Sequence, residues 1–141
     1  MLNIRIISPS IMHSVDFTHL LWLASEYSAE KLSYTITHEL PQMNTIGILE
    51  NASLIAFASY VQEPTRAMVE YIAVKETHQG RGLGSQLLHE ISQSSPEIYL
   101  ETDDDAVEFY RKQGFTVIPK DRDPRWPDRE RYTCTWKTKP V

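Results

Sequence analysis

Apolar positions change period several times along the chain, and each change marks an element. Leu2, Ile4 and Ile6 alternate with polar neighbours across residues 2–8, as a strand requires. Beyond Ser8-Pro9, Ser14 can cap a helix in which Phe17, Leu20, Leu21 and Ala24 recur at helical spacing. A weaker helical pattern covers residues 30–39 and stops at Pro41. Residues 45–50 and 53–61 are rich in Ile, Leu, Phe and Tyr and flank Asn51-Ala52, which predicts a hairpin, and residues 67–75 read as a further strand after Pro64-Thr65. Leu83, Leu87, Leu88 and Ile91 form one stripe of a helix over 82–93, ended by Ser94, Ser95 and Pro96. Residues 97–101 predict a short strand. Thr102 with Asp105 resembles a capping box opening a helix that runs to Gln113, with Gly114 as its stop. Strands over 115–118 and 131–137 close the series. The order of strand, two helices, three strands, helix, strand, helix and two strands implies one central, mostly antiparallel sheet with helices on its faces. That is an α/β fold of the α+β type.

The chain has 141 residues, which favours a single domain, 1–141, because two cores would each be undersized. Hydrophobic residues at 41 % and charged residues at 23 % exclude disordered and fibrous classes. No apolar run is long enough for a membrane helix, and the first eleven residues lack the basic and apolar regions of a signal peptide. The lone Cys134 excludes a disulfide framework and a multi-cysteine metal site. A soluble, cytoplasmic protein is expected. The net charge of −5 argues against nucleic acid as a partner. Charge is concentrated late: residues 101–131 hold seven bases and nine acids, ending in a polar stretch, 120–131, with Pro124 and Pro127. That stretch reads as a long, solvated surface loop.

Chemistry gathers in V-E-Y-I-A-V-K-E-T-H-Q-G-R-G-L-G-S, residues 69–85. Gly80, Gly82 and Gly84 lie between a strand and the first turn of an amphipathic helix. There, missing side chains and free N–H groups admit an anion such as a diphosphate. No G-K-[ST] follows, so this is not a P-loop. A dinucleotide fingerprint is nearly matched by Gly80, Gly82 and Ser85 with Glu101 downstream. It fails because Lys75 to Gln79 separate strand from glycine, four strands precede it, and too little chain follows for a nicotinamide half-site.

Taken as Q-x-x-G-x-G, with Gln79, Gly82 and Gly84, the turn resembles the acyl-CoA signature of the GNAT superfamily of N-acetyltransferases. A-V-E-F-Y-R-K-Q-G-F, residues 106–115, is similar to that superfamily's A-x-x-F-Y-x-x-x-G-F, and it falls one strand further on, as the family requires. The resemblance covers nearly the whole chain. It implies a GNAT-like sheet with helices on both faces and acetyl-CoA as co-substrate, with no metal. It places Gln79, Gly80, Arg81, Gly82, Leu83, Gly84 and Ser85 around the CoA pyrophosphate through main-chain N–H groups. Ile72, Ala73 and Val74 would pair with the pantetheine arm, the N–H of Val74 facing the thioester carbonyl. Strand splaying beside them would open the cleft. Tyr110 would protonate the departing thiolate, and Phe109 would be a helix-face core aromatic. Many family members have Asn where this chain has Asp103, which can accept a pantetheine hydrogen bond but, when ionised, cannot donate one.

An amine acceptor must lose a proton before attack. Glu70 is the candidate base, expected on one strand face with Ile72 and Val74 because alternate residues point the same way. Glu101 is the reserve. His13, His19, His38, His78 and His89 show no metal spacing and read as surface or helix residues, and Cys134 as a small buried hydrophobe. Trp22, Tyr27 and Tyr34 fall on the first two helices, beside the acceptor pocket of the family. The resulting expectation is direct transfer of acetyl from acetyl-CoA to a primary amine of a small molecule or peptide, by a monomer or homodimer. The competing expectation is a GNAT-like module that binds or senses acyl-CoA without turnover.

Overall fold

The strands form because β-branched and aromatic residues alternate or cluster between turn residues, and pairing is fixed where a turn demands one geometry. Asn51 and Ala52 both take positive φ, 52° and 69°, the left-handed pair that joins twisted strands in a two-residue hairpin. The computed structural model describes residues 3–137; Leu2, the first residue of the expected opening strand, lies outside them. Seven strands, β1 (Asn3–Ile6), β2 (Asn44–Glu50), β3 (Ser53–Gln62), β4 (Ala67–Val74), β5 (Glu97–Asp103), β6 (Thr116–Lys120) and β7 (Arg131–Lys137), make one sheet in the order β1-β2-β3-β4-β5-β7-β6. Among the described residues only β4 and β5 run parallel, joined by the crossover that holds the glycine turn. β7 inserts between β5 and the edge strand β6.

Helices α1 (Pro9–Met12), α2 (Val15–Ser25) and α3 (Ala29–Tyr34) cover one face, and α4 (Leu83–Ser92) and α5 (Val107–Lys112) the other. Ser14 caps α2 by accepting the Phe17 N–H at 3.2 Å, and Ser28 caps α3 in the same way through Lys31. The expected helix over 30–39 is α-helical only to Tyr34 and continues as a wider π turn, Thr35–Glu39. Phe17, Leu20, Leu21 and Phe57 fill the core under α2. Leu83, Leu87 and Ile91 do so under α4. Each fully buried Leu contributes about 1.5–3 kcal/mol.

One helix start differs from expectation. Thr102 and Asp103 still belong to β5, and α5 begins only at Val107. The capping box at Thr102 does not form. Instead Asp103 Oδ1 accepts the N–H groups of Asp105 and Ala106 at 3.0 and 3.2 Å, satisfying the turn that leads into the helix.

Candidate functional site

The site begins with a register shift. Ser59 pairs with Tyr71 while the adjacent Tyr60 pairs with Val69, so Glu70 is an extra residue on β4, a β-bulge. The bulge flips the strand's alternation. Ala67 and Val69 pack in the core under α4, yet beyond the bulge it is Ile72 and Val74 that do so, while Tyr71 and Ala73 turn to the α2 face. Glu70 therefore does not share a face with Ile72 and Val74 by simple alternation, which corrects the sequence expectation. It reaches the cleft because it sits on the bend.

The same bend ends the β4–β5 pairing. The last paired residues are Val69 and Leu100, and the two strands diverge above them. Between them opens a cleft of about 320 Å³, lined by Glu70 and Ile72 of β4, Glu101 and Asp103 of β5, Tyr110 of α5 and residues of the 121–130 loop. The phase of the free β4 edge follows from one hydrogen bond. The Lys75 N–H donates to Ile55 O at 2.8 Å, so Val74 and Ile72, in the intervening positions of an antiparallel ladder, turn their N–H groups toward the gap.

At the top of β4 the chain passes through Gln79, whose side-chain amide donates to the Val74 carbonyl at 3.0 Å and braces the turn against the strand. Gly80 and Gly82 have φ of +81° and +80°, with nothing within 4 Å of the position a Cβ would take. Gly82 is the N-cap of α4 and supplies no side-chain bond. The main-chain N–H groups of residues 80–85 have no partner among the described residues, and those of residues 83–85 form the positive end of a ten-residue helix. A phosphate-bearing cofactor fits such a cradle. Gly84 has a different reason to be glycine: a Cβ there would lie 3.0 Å from the Phe109 ring. Phe109 is 37 % exposed, so it covers the start of α4 rather than sitting in the core as expected. Leu83 is buried, leaving only its main chain for a ligand, whereas Arg81 is exposed.

Tyr110 is buried, edge-on to Phe109 and Phe115 at ring distances of 5.1 and 5.5 Å, with its side chain at the cleft wall. Its hydroxyl has no partner among the described residues. Burial, followed by Cys134 and Asp103, pushes the phenol above its ordinary value, so it stays protonated. Burial likewise raises the Glu70 carboxyl; Arg125 opposes this, and Glu101, Glu39 and Asp123 add to it. At Glu101 burial is outweighed by hydrogen bonds from Lys120, 2.7 Å, and Tyr99, 3.0 Å, which hold the carboxyl below its usual range. The reserve base is thus occupied. Asp103 Oδ2 accepts from Arg129 at 3.2 Å, so both its oxygens are engaged. Cys134 is fully buried and its thiol is raised to about 11 by burial.

The 121–130 loop overturns the solvated-loop expectation. Trp126 donates to Ser25 O at 2.7 Å and stacks on Tyr27, and Arg125 and Arg131 lie 4.5 and 4.6 Å over its ring. Arg125 is also bonded to Asp123, whose carboxyl falls to about 2, and to the Tyr27 hydroxyl. Arg125, Trp126, Arg129 and Arg131 all line the cleft, and the residue-by-residue sequence reading missed them. A Trp held between two prolines was the available signal, since a freely solvated loop gains nothing from it. Tyr27 is buried beside them, while Trp22 and Tyr34 are 44 % and 55 % exposed. Of the histidines, His78 departs from the surface reading: its side chain is 14 % exposed and bonds Glu50 at 2.9 Å. Among the described residues no group of three or more His, Cys, Asp or Glu is placed to hold a metal ion, and no helix is long and apolar enough to cross a membrane.

Residues 14–115 match the sequence model of the Acetyltransferase (GNAT) family. The chain belongs to this family. A sequence search of curated proteins finds no match. Among solved structures, the fold is similar to a GNAT family acetyltransferase from Elizabethkingia anophelis with acetyl-CoA bound, at 17 % identity and a TM-score of 0.71, covering 97 % of this chain and 98 % of that one. It is also similar to the PaiA N-acetyltransferase of Thermoplasma acidophilum in complex with coenzyme A, with 17 % identity, a TM-score of 0.73, and 98 % and 99 % of the two chains covered. The ribosomal-protein-S18-alanine N-acetyltransferase of Escherichia coli gives 19 % identity and a TM-score of 0.72, over 97 % and 94 %. These likenesses show that the GNAT fold spans the chain. In this chain Tyr110 lines the splayed cleft, and the glycine turn follows the end of β4, one of the two strands that border it.

Proposed function

We propose that the protein is an N-acetyltransferase that carries acetyl from acetyl-CoA directly to a primary amine. The observation that carries this reading is the splayed β4–β5 cleft with a protonated, unpartnered phenol in its wall and an unpartnered N–H cradle where the chain leaves β4.

The co-substrate supplies an activated thioester. The N–H groups of residues 80–85 hold its diphosphate, helped by the α4 dipole. Gln79 keeps that turn docked on β4. The free N–H groups of Ile72 and Val74 give the open strand edge on which an extended amide arm pairs as an added strand, and the Val74 N–H is aimed where negative charge grows on the carbonyl oxygen. Ala73 packs toward α2 and offers only its backbone. Asp103 is engaged in the turn and with Arg129, so it orders this wall of the cleft rather than binding the cofactor.

Glu70 takes the proton of the arriving ammonium, a role suited to a carboxyl raised by burial. The amine nitrogen then forms its bond to the acyl carbon as the carbon–sulfur bond breaks. Tyr110 donates its hydroxyl hydrogen bond, and finally its proton, to the leaving thiolate. Its raised value means that the thiolate charge must build first.

A screen of amines with CoA-thiol release as readout tests the reading. Tyr110→Phe should keep acetyl-CoA affinity, since it removes one hydroxyl and almost no volume, while kcat and kcat/KM fall together by roughly 10²- to 10⁴-fold. Wild-type rates in Tyr110→Phe would remove the acid role. Tight acetyl-CoA binding with no amine acetylated would favour the sensing module instead.

A further inference from the structure

The charges that line the cleft are paired off with two exceptions. Arg129 joins Glu26, Asp103 and Asp105; Lys120 holds Glu101 and Arg125 holds Asp123. Among the described residues this leaves one lining acid and one lining base, Glu70 and Arg131, without a hydrogen bond or ion pair.

Arg131 is only 6 % exposed, and its Nε is buried without an acceptor. Among the described residues its guanidinium makes no hydrogen bond; the carbon lies 4.6 Å from the centre of the Trp126 ring. Glu101 and Asp123 lie within the field of this charge but spend their hydrogen bonds on Lys120 and Arg125, and a ring face cannot take up five N–H donors, so the guanidinium keeps unmet donors. Its position says what would satisfy it. Arg131 opens β7 opposite Asp103, and it stands an odd number of residues from Cys134, which packs under α4. It therefore faces the other side of the sheet, where α2 and the 121–130 loop enclose the acceptor half of the cleft. Glu70 stands two strands away across the β4–β5 divergence, and both side chains line the space between.

We propose that the acceptor is an amino acid, with its carboxylate held by Arg131 and its amine delivered to Glu70. A guanidinium fork matches a carboxylate in two parallel hydrogen bonds, and the stack on Trp126 fixes the plane of that fork. One unpaired base and one unpaired acid across one cleft are complementary to a small zwitterion. A polyamine would leave Arg131 unmet and bring a second cation beside it. This assignment rests on the acetyl-transfer reading and adds the acceptor's second charge.

The experiment compares the twenty common amino acids with their carboxamides, which keep the amine and lose the carboxylate. Binding is measured by calorimetry in the presence of CoA and turnover by thiol release. The expected result is preference for at least one acid over its amide by about 10²-fold or more. In Arg131→Gln that ratio should fall toward one, and Arg131→Lys should restore part of it, retaining the charge but not the fork. Acetyl-CoA titration of each variant reports that it is folded. Equal handling of acid and amide by the wild type, absence of amino-acid binding, or an unchanged ratio in Arg131→Gln overturns the proposal. Selective acid binding with no turnover of any amine would instead remove the acetyl-transfer reading and leave the carboxylate site standing.

Discussion

Gly82→Ala and Gly84→Ala should differ in sign, although the two glycines stand in one motif. At Gly82 the backbone has φ +80° and open space where a Cβ would go, so the penalty is purely conformational. Forcing an L-residue into the left-handed region costs about 1–2 kcal/mol. At Gly84 the backbone is helical, and a new Cβ meets Phe109 Cζ at 3.0 Å. That atom is the far end of a side chain already 37 % exposed, so the ring can swing outward by a few tenths of an ångström. Replacing Gly by Ala within a helix gains up to about 1 kcal/mol, and the net effect is neutral or stabilising. For a chain of 141 residues, about 1 kcal/mol corresponds to roughly 3 °C in Tm. Gly82→Ala should thus unfold about 3–6 °C below wild type, and Gly84→Ala at or above it. Gly82→Asn should recover part of the loss, because Asn visits the left-handed region more readily. Thermal unfolding by circular dichroism without ligand decides the matter. Acetyl-CoA titration should then show weakened binding in Gly82→Ala, whose N–H groups are re-aimed, and near-native binding in Gly84→Ala. Equal destabilisation by the two alanines, or an Asn variant no better than Ala at 82, would refute the division of roles.

Glu70→Gln should stabilise the ligand-free protein at neutral pH. Burial raises the folded-state carboxyl above its unfolded value, so the folded state binds this proton more tightly, and stability is lost as pH rises from the unfolded value through the folded one. The gain should therefore vanish below the unfolded carboxyl value of about 4.3, as thermal unfolding across pH would show. The variant's activity should fall most at neutral pH and recover partly as the free amine deprotonates. Trp126→Ala should cost about 2 kcal/mol through the lost hydrogen bond to Ser25 and the stack on Tyr27. It should also raise the acceptor KM more than that of acetyl-CoA, measured by steady-state kinetics.

The elements were legible where one period dominates. Leu83, Leu87 and Ile91 mark a helix whatever surrounds them, and Asn51-Ala52 can join two apolar runs only as a tight turn. Thr102 misled because its short capping pattern competes with the β5 ladder, where Thr102 pairs with Tyr132 on β7. Tertiary pairing won. The glycine turn and Tyr110 were legible as motif residues because main-chain access and aromatic packing restrict side-chain type. The loop was not, since Arg125 and Arg129 differ from solvated arginines through partners distant in sequence, Tyr27 and Glu26.

The bulge at Glu70 shows most directly why a strand's residues can be read while its site cannot. From Val69 to Val74 apolar residues occupy both parities, Tyr71 and Ala73 on one, Ile72 and Val74 on the other. A strand buried on both faces tolerates either phase, so nothing in the pattern reveals where the phase changes. One inserted residue then has three consequences. It moves Ile72 and Val74 to the α4 face, it bends β4 away from β5 after the Val69–Leu100 pair, and it leaves a carboxylate on the outside of the bend. The opening of the cleft and the placing of the candidate base are thus a single event. Removing the extra residue would let Tyr71 follow Val69 in regular pairing with β3, take away the bend and close the gap. A deletion at 70 should therefore abolish acceptor and acetyl-CoA binding together, whereas Glu70→Gln, which keeps the bulge, should preserve acetyl-CoA binding.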